Sequence, residues 1–204
     1  MGLQYLFCYG SLINRESRIA TAIVGKAIPG RVIGYQRGWN VIAPYIGMTG
    51  VGIIPTESAV CNGVFVAVGD EELAMFDKRE IEGVDYNYIR QEMPRECILE
   101  AEEGMESQAK IWLYVVRRPQ KPTEEFPILQ TYVDVILSGC LEIGEDFAVE
   151  FVRTTYGWGH PWCDDRASPR YVRYLDTSKY HRKIDEILAE HVPSGLAARR
   201  KGIC

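Results

Sequence analysis

The sequence reads as a mixed α+β chain, and three observations predict this. Apolar, β-branched segments of strand length recur between residues 3 and 117. A short helix start at Asn14 and a longer helix beginning at Glu71 interrupt them. Amphipathic helices then follow over Ile128–Ile143, Asp146–Thr155 and Tyr180–Val192. Strands first and helices afterwards is the α+β pattern rather than a regular βαβ alternation.

Leu3–Tyr9 (LQYLFCY) is apolar almost throughout, as expected of a strand covered on both faces. It runs into Gly10-Ser11-Leu12, and Asn14 then stands where it can cap a short helix. A strand, a glycine, a small hydroxyl residue and a helix start make a loop whose N–H groups can face an anion. An ordinary tight turn fits the same residues. Ala27–Tyr35 predicts a turn at Pro29-Gly30 and then a strand. Trp39–Ala43 and Gly52–Ile54 are short strand-like pieces flanking a loop over Tyr45–Gly50, and Pro55–Ser58 reads as a turn. Val60–Val68 suits a central strand, with Gly63 marking a bulge or a close approach.

The stretch Glu71–Arg90 begins as a helix and ends as a strand. Glu71 and Glu72 fall in a first turn that favours negative charge. Leu73, Phe76 and Glu80 share one helical face, which starts apolar and ends in a carboxylate. Gly83 is expected to stop the helix, and Tyr86–Arg90 alternates like a strand. Burying a lone carboxylate costs several kcal/mol (roughly) and raises its pKa, so Glu80 needs a reason. Proton transfer is one. An ion pair with Arg79 or Arg90, or exposure at a frayed helix end, is the other.

Gln91–Leu99 and Lys110–Arg117 read as further strands around an acidic loop, Glu100–Gln108. Arg118–Pro127 carries three prolines and must be a loop. In the helix Ile128–Ile143, Tyr132 lies on the apolar face with a hydroxyl that needs a partner. Tyr156–Pro169 is rich in aromatics, glycine and proline and is read as irregular, with Trp158 and Trp162 packing down. Tyr171–Leu175 is at best a short ordered piece, and the basic tail Ala197–Cys204 is expected to be loose. His160, Cys163, Asp164, Asp165 and His181 do not form a zinc pattern: His-x-x-Cys is not a usual spacing, and no second pair completes it. The acids are expected to meet Arg166 or Arg170 instead.

The 204 residues suit one domain, or a domain at 1–154 with an extension at 155–204 packed on it. A content of 47% hydrophobic and 25% charged residues supports a real core. The net charge of −5 gives no reason to expect nucleic acid as a partner. No apolar run is long enough to span a bilayer, and neither a secretory leader nor a myristoylation signal is read at the N-terminus. Six cysteines without a C-x-x-C pair read as reduced thiols in a cytoplasmic protein.

Tyr9-Gly10-Ser11-Leu12 after a first strand resembles the signature loop of the gamma-glutamylcyclotransferase-like family. Pro29-Gly30 through Tyr35, Gly52–Pro55 with Asn62–Val68, Leu73-x-x-Phe76-Asp77-x-x-Glu80, Tyr88-Ile89-Arg90, and Tyr132 with Ser138-Gly139 resemble its later motifs, in order. The resemblance covers roughly residues 3–147. It implies a small mixed β-barrel with flanking helices and a cavity beside the first loop. It also implies Glu80 as the catalytic residue. Glu82 competes, because many members place the glutamate directly before a glycine. Glu80 keeps the spacing from Asp77, whereas Glu82 lies about 200° of helical rotation away and should look outward. The extension from about Thr155 departs from compact members and admits three roles: a lid, a homodimer interface, or passive packing.

The implied chemistry is release of 5-oxoproline from a small γ-glutamyl amide by attack of its own α-amine, with no metal or other cofactor. A single Glu serves as base and then acid if its pKa is raised towards about 6–7. The N–H groups of Gly10, Ser11 and Leu12 would hold the α-carboxylate or the oxyanion. Tyr9, Tyr88 and Tyr132 would add donors at the cavity wall. A glutathione-specific enzyme is a variant of this reading, although the Gly-Gly-Tyr that usually follows Arg-Glu there is absent. The alternative is a non-catalytic member that binds a small metabolite or a protein.

Overall fold

The computed structural model describes residues 4–82, 87–101 and 103–201. The expected helix stop at Gly83, Tyr86 of the following strand, and the last three residues lie outside them. The strands are β1 (Gln4–Cys8), β2 (Ala27–Ala43), β3 (Met48–Val68), β4 (Tyr88–Glu92), β5 (Ile98–Ala101), β6 (Lys110–Val116), β7 (Ile128–Leu129), β8 (Thr155–Tyr156), β9 (Trp162–Asp164) and β10 (Arg199–Lys201). The helices are α1 (Arg15–Ile19), α2 (Asp70–Asp77), α3 (Gln130–Ile143), α4 (Glu145–Thr154), α5 (His181–His191) and α6 (Pro193–Ala198).

The main sheet runs β4-β6-β1-β3-β2-β5, with β8 added parallel to β2. It is mixed, since β1 pairs antiparallel to β3 and parallel to β6. The described strands form an open path rather than a closed barrel. β1 is central because it is apolar on both faces: Tyr5, Leu6, Phe7 and Cys8 are all buried.

The hairpin of β2 and β3 corrects the expected turns. Pro29-Gly30 is strand, with Pro29 opposite Val64 and Gly30 opposite Gly63. A Cβ on Gly30 would lie 2.6 Å from the Phe65 ring and from the Glu100 carbonyl. That glycine therefore serves close packing rather than a change of direction. Gly63 is also a close approach, to Cys8 O and the Phe7 ring, each 2.6 Å from a built Cβ. The turn expected at Pro55–Ser58 is a break in the ladder. Ile33 faces Val60 but Tyr35 faces Pro55, with Gly34 at φ 92° and Ser58 at φ 61°.

Tyr156–Pro169 is not irregular throughout, since it holds β9, nor is the tail loose where it is described. β10 pairs with β9, and β9 with β7, in a second, parallel sheet. Arg199 donates to Gln130 (2.8 Å) and Asp185 (3.0 Å), so the basic residues of the tail meet acceptors distant in sequence. Asp165 accepts from Thr131 N–H at 2.8 Å, and Arg166 binds Asp134 and Asp185. Trp158 packs edge-on against Trp39, with centroids 5.0 Å apart, and Tyr171 against Tyr132 at 4.8 Å. Cys8, Cys61, Cys97 and Cys140 are free thiols, but Cys163 is disulfide-bonded, so the reduced-thiol reading fails at that residue. Among the described residues no helix is long and apolar enough to cross a membrane.

Candidate active site

β1 ends at Cys8, and Tyr9-Gly10 carries the chain into a single 3-10 turn, Ser11–Ile13. Ile13 N–H donates to Gly10 C=O (2.9 Å) and Asn14 N–H to Ser11 C=O (3.2 Å). The earlier amides of Ser11 and Leu12 make no bond within the turn, as at the start of any helix. Asn14 caps α1 by accepting from Ser17 N–H at 3.1 Å, and its Nδ2 donates to Ser138 on α3 at 3.1 Å. Gly139 lets α3 sit directly on this turn: a Cβ there would lie 2.5 Å from Asn14 Cα.

Glu80 enters from the other side. α2 keeps Leu73 and Phe76 buried, and the chain then loosens into a π-helical turn over Lys78–Glu82. Glu80 Oε1 lies 3.0 Å from Arg79 Nε, and the Glu80 side chain is 21% exposed. Of the two expected ion pairs, Glu80 makes the one with Arg79, while Arg90 pairs with Asp77. Glu82 is exposed. Arg79 is buried and donates to Ser11 Oγ (3.2 Å), Ser17 O (2.7 Å), Ser17 Oγ (2.9 Å) and Thr21 Oγ1, so it ties Glu80's backbone to the loop and to α1.

Glu80 and Gly10–Leu12 line one cavity, with the side chains of Tyr9, Tyr88, Tyr114 and Tyr132 around it. Its volume is about 30 Å3, room for one water molecule. A neighbouring compartment of about 50 Å3 shares Ser11, Glu80 and Tyr132 as walls and adds Arg79, Tyr171 and Arg173. The residues proposed from the sequence are thus brought together. Tyr114, Arg79, Tyr171 and Arg173 are additions. Tyr114 sits in an apolar run whose facing could not be read, and the other three come from long-range packing.

The tyrosines differ in what their hydroxyls already do. Tyr9 donates to Tyr114 O at 2.5 Å and Tyr88 to Val51 O at 2.6 Å, so both protons are committed to backbone. Tyr114 donates to Asp77 at 3.0 Å. Among the described residues Tyr132 has only a long contact, 3.5 Å, from Val51 N–H. Burial pushes the phenols of Tyr9, Tyr88, Tyr114 and Tyr132 above their ordinary range, so all four remain protonated donors. Burial likewise pushes the Cys8 thiol up to about 12, which removes it as a thiolate nucleophile. Glu80 is the one carboxylate among the described residues lining the cavity.

A family profile described as "Gamma-glutamyl cyclotransferase, AIG2-like" matches residues 6–132, well over half of the chain. The chain belongs to that family. The matched region holds every residue of the loop, Glu80 and the four tyrosines. No curated protein matches the sequence. Among solved structures, one described as a gamma-glutamyl cyclotransferase superposes with a TM-score of 0.59 at 14% identity, covering 93% of this chain and 99% of its own. YkqA from Bacillus subtilis gives 0.50 at 16% identity, over 77% of this chain and 57% of its own. A yeast gamma-glutamyl cyclotransferase described as specific to glutathione gives 0.45 at 14%, over 98% of each. At these identities the first two likenesses speak for the fold alone, and the third carries no argument.

Proposed function

We propose that this family member releases 5-oxoproline from a small γ-glutamyl amide, with Glu80 as general base and then general acid. The observation that carries the reading is the meeting of a single carboxylate with a helix-start loop in one small cavity. In this reading the substrate's α-amine lies against Glu80, which takes its proton as nitrogen attacks the γ-carbonyl. The five-membered ring closes, the C–N bond to the leaving group breaks, and Glu80 returns the proton to the departing nitrogen. Ring closure is intramolecular, so holding the folded substrate supplies much of the rate. The Ser11 and Leu12 amides receive the α-carboxylate or the oxyanion. The Tyr132 hydroxyl is the phenolic donor least committed to protein and the one best placed to serve substrate. Arg79 holds the loop and Glu80 in register. The reading carries no metal or cofactor, and a cytoplasmic place of action.

The test is incubation of the purified chain with γ-glutamyl amino acids, γ-glutamyl amines and glutathione, with 5-oxoproline followed by mass spectrometry. Its appearance with any of them supports the reading, and the panel names the leaving group. Should no member of the panel turn over, the second reading, a non-catalytic member that binds a small metabolite or a protein, takes its place.

A further inference from the structure

A larger cavity lies apart from Glu80, between α1, the approach to β2 and the end of α3, with a volume of about 480 Å3. That size falls within the roughly 300–1,000 Å3 of small-molecule sites. Part of its wall is apolar, including Ile13, Ile19 and Ile143. The rest is mainly basic: Arg15, Arg18 and Lys26 face one acid, Glu142.

Arg18 is the unusual residue. It is 4% exposed, and its Nη1 donates to the carbonyls of Leu12 (2.7 Å) and Ile13. Its Nε has no acceptor, and no carboxylate pairs with it among the described residues. The other deeply buried arginines near the loop are compensated. Arg37 finds acceptors for Nε and both Nη atoms and stacks on Phe151, and Arg79 has four hydrogen bonds and Glu80 beside it. A buried guanidinium without a counter-charge is costly, and an anion entering the cavity would supply one.

We infer that this cavity binds a small carboxylate or phosphate anion that carries an apolar body, the head on Arg18 with Arg15 and Lys26, the body against the isoleucines. Arg18 also grips the carbonyl of Leu12, so occupancy is felt at the loop shared with the Glu80 cavity.

The test is calorimetric titration of the full chain with hexanoate, hexanol and inorganic phosphate. Hexanoate is expected to bind saturably and hexanol at least about tenfold more weakly, since it lacks the charge. Competition by phosphate would assign the head group to phosphate, and lack of competition to carboxylate. Because Arg18→Met risks the fold, the decisive variant is the double reversal Arg15→Glu/Lys26→Glu at exposed positions, read with a melting curve. It is expected to keep its melting temperature and lose hexanoate affinity at least about tenfold. The inference is overturned if neither hexanoate nor phosphate binds saturably, if hexanol binds as tightly as hexanoate, or if the folded double variant binds hexanoate unchanged.

Discussion

Among the residues of the Glu80 cavity, hydroxyl commitment separates function from stability. Tyr88→Phe strands the Val51 carbonyl in a buried setting, which costs about 1–3 kcal/mol. Tyr132→Phe gives up only a 3.5 Å contact. The expected outcome is that Tyr88→Phe lowers the melting temperature by several degrees, at roughly 2–4 °C per kcal/mol for a chain of this size. Tyr132→Phe is expected to melt within about a degree of wild type yet lose about tenfold or more in kcat/KM. Thermal melts beside 5-oxoproline rates decide it, and the reverse ordering would show that Tyr132 is a packing residue. The sequence could not make this distinction. Tyr9, Tyr88 and Tyr132 look alike as aromatic residues on apolar faces, and what separates them is the partner each hydroxyl meets: the Tyr114 and Val51 carbonyls for Tyr9 and Tyr88, the Val51 N–H for Tyr132.

At the scale of elements, the loop is positioned by the close seat of α3 on Asn14. Gly139→Ala places a Cβ 2.5 Å from Asn14 Cα, backbone that cannot step aside. Overpacking of this kind costs about 1–3 kcal/mol, so melting falls by several degrees and turnover falls with it. Gly144→Ala meets nothing within 4 Å and is the control expected to shift melting much less. Equal melting of the two variants would remove the argument. The strands were legible because apolar, β-branched runs leave few alternatives, as in β1 and Val60–Val68. The Asn14 cap, too, could be read from local chemistry. Pro29-Gly30 misled because the same dipeptide serves a turn or a strand crossed closely by a ring. The Phe65 ring and the Glu100 carbonyl, both distant in sequence, decide between them. The tail misled for a related reason: Arg199's acceptors, Gln130 and Asp185, lie in other elements.

For the whole molecule, the extension is built into the core through two networks. Arg37, fully buried, stacks 3.7 Å over Phe151 and donates to Thr155 Oγ1 at 2.7 Å and to Asn62. Trp158 and Tyr171 cover Trp39 and Tyr132. We propose that residues 155–204 complete one cooperative unit instead of forming a separable domain. Truncation after Thr154 should abolish cooperative melting, and a truncated chain that melts sharply and turns over substrate would contradict this. The second network is electrostatic. Burial raises the Asp185 pKa, but Arg166 and Arg199 outweigh it and hold the carboxyl below its ordinary 3.8. A depressed pKa contributes stability above the unfolded value that is lost as pH falls through the folded one. The melting gap between wild type and Asp185→Asn should therefore be constant from about pH 7 to 5 and close below about pH 4, as read by melts across that range. A gap that instead widened on acidification would contradict this assignment. If Glu80 alone performs the proton transfers, as proposed, comparison of Glu80→Gln with Glu82→Gln on the best substrate of the panel will show it. Both variants are expected to melt like wild type, Glu82→Gln to form 5-oxoproline normally, and Glu80→Gln to lose at least about 10²-fold in kcat; a folded Glu80→Gln that keeps wild-type turnover, or a loss confined to Glu82→Gln, would remove Glu80 from the reaction.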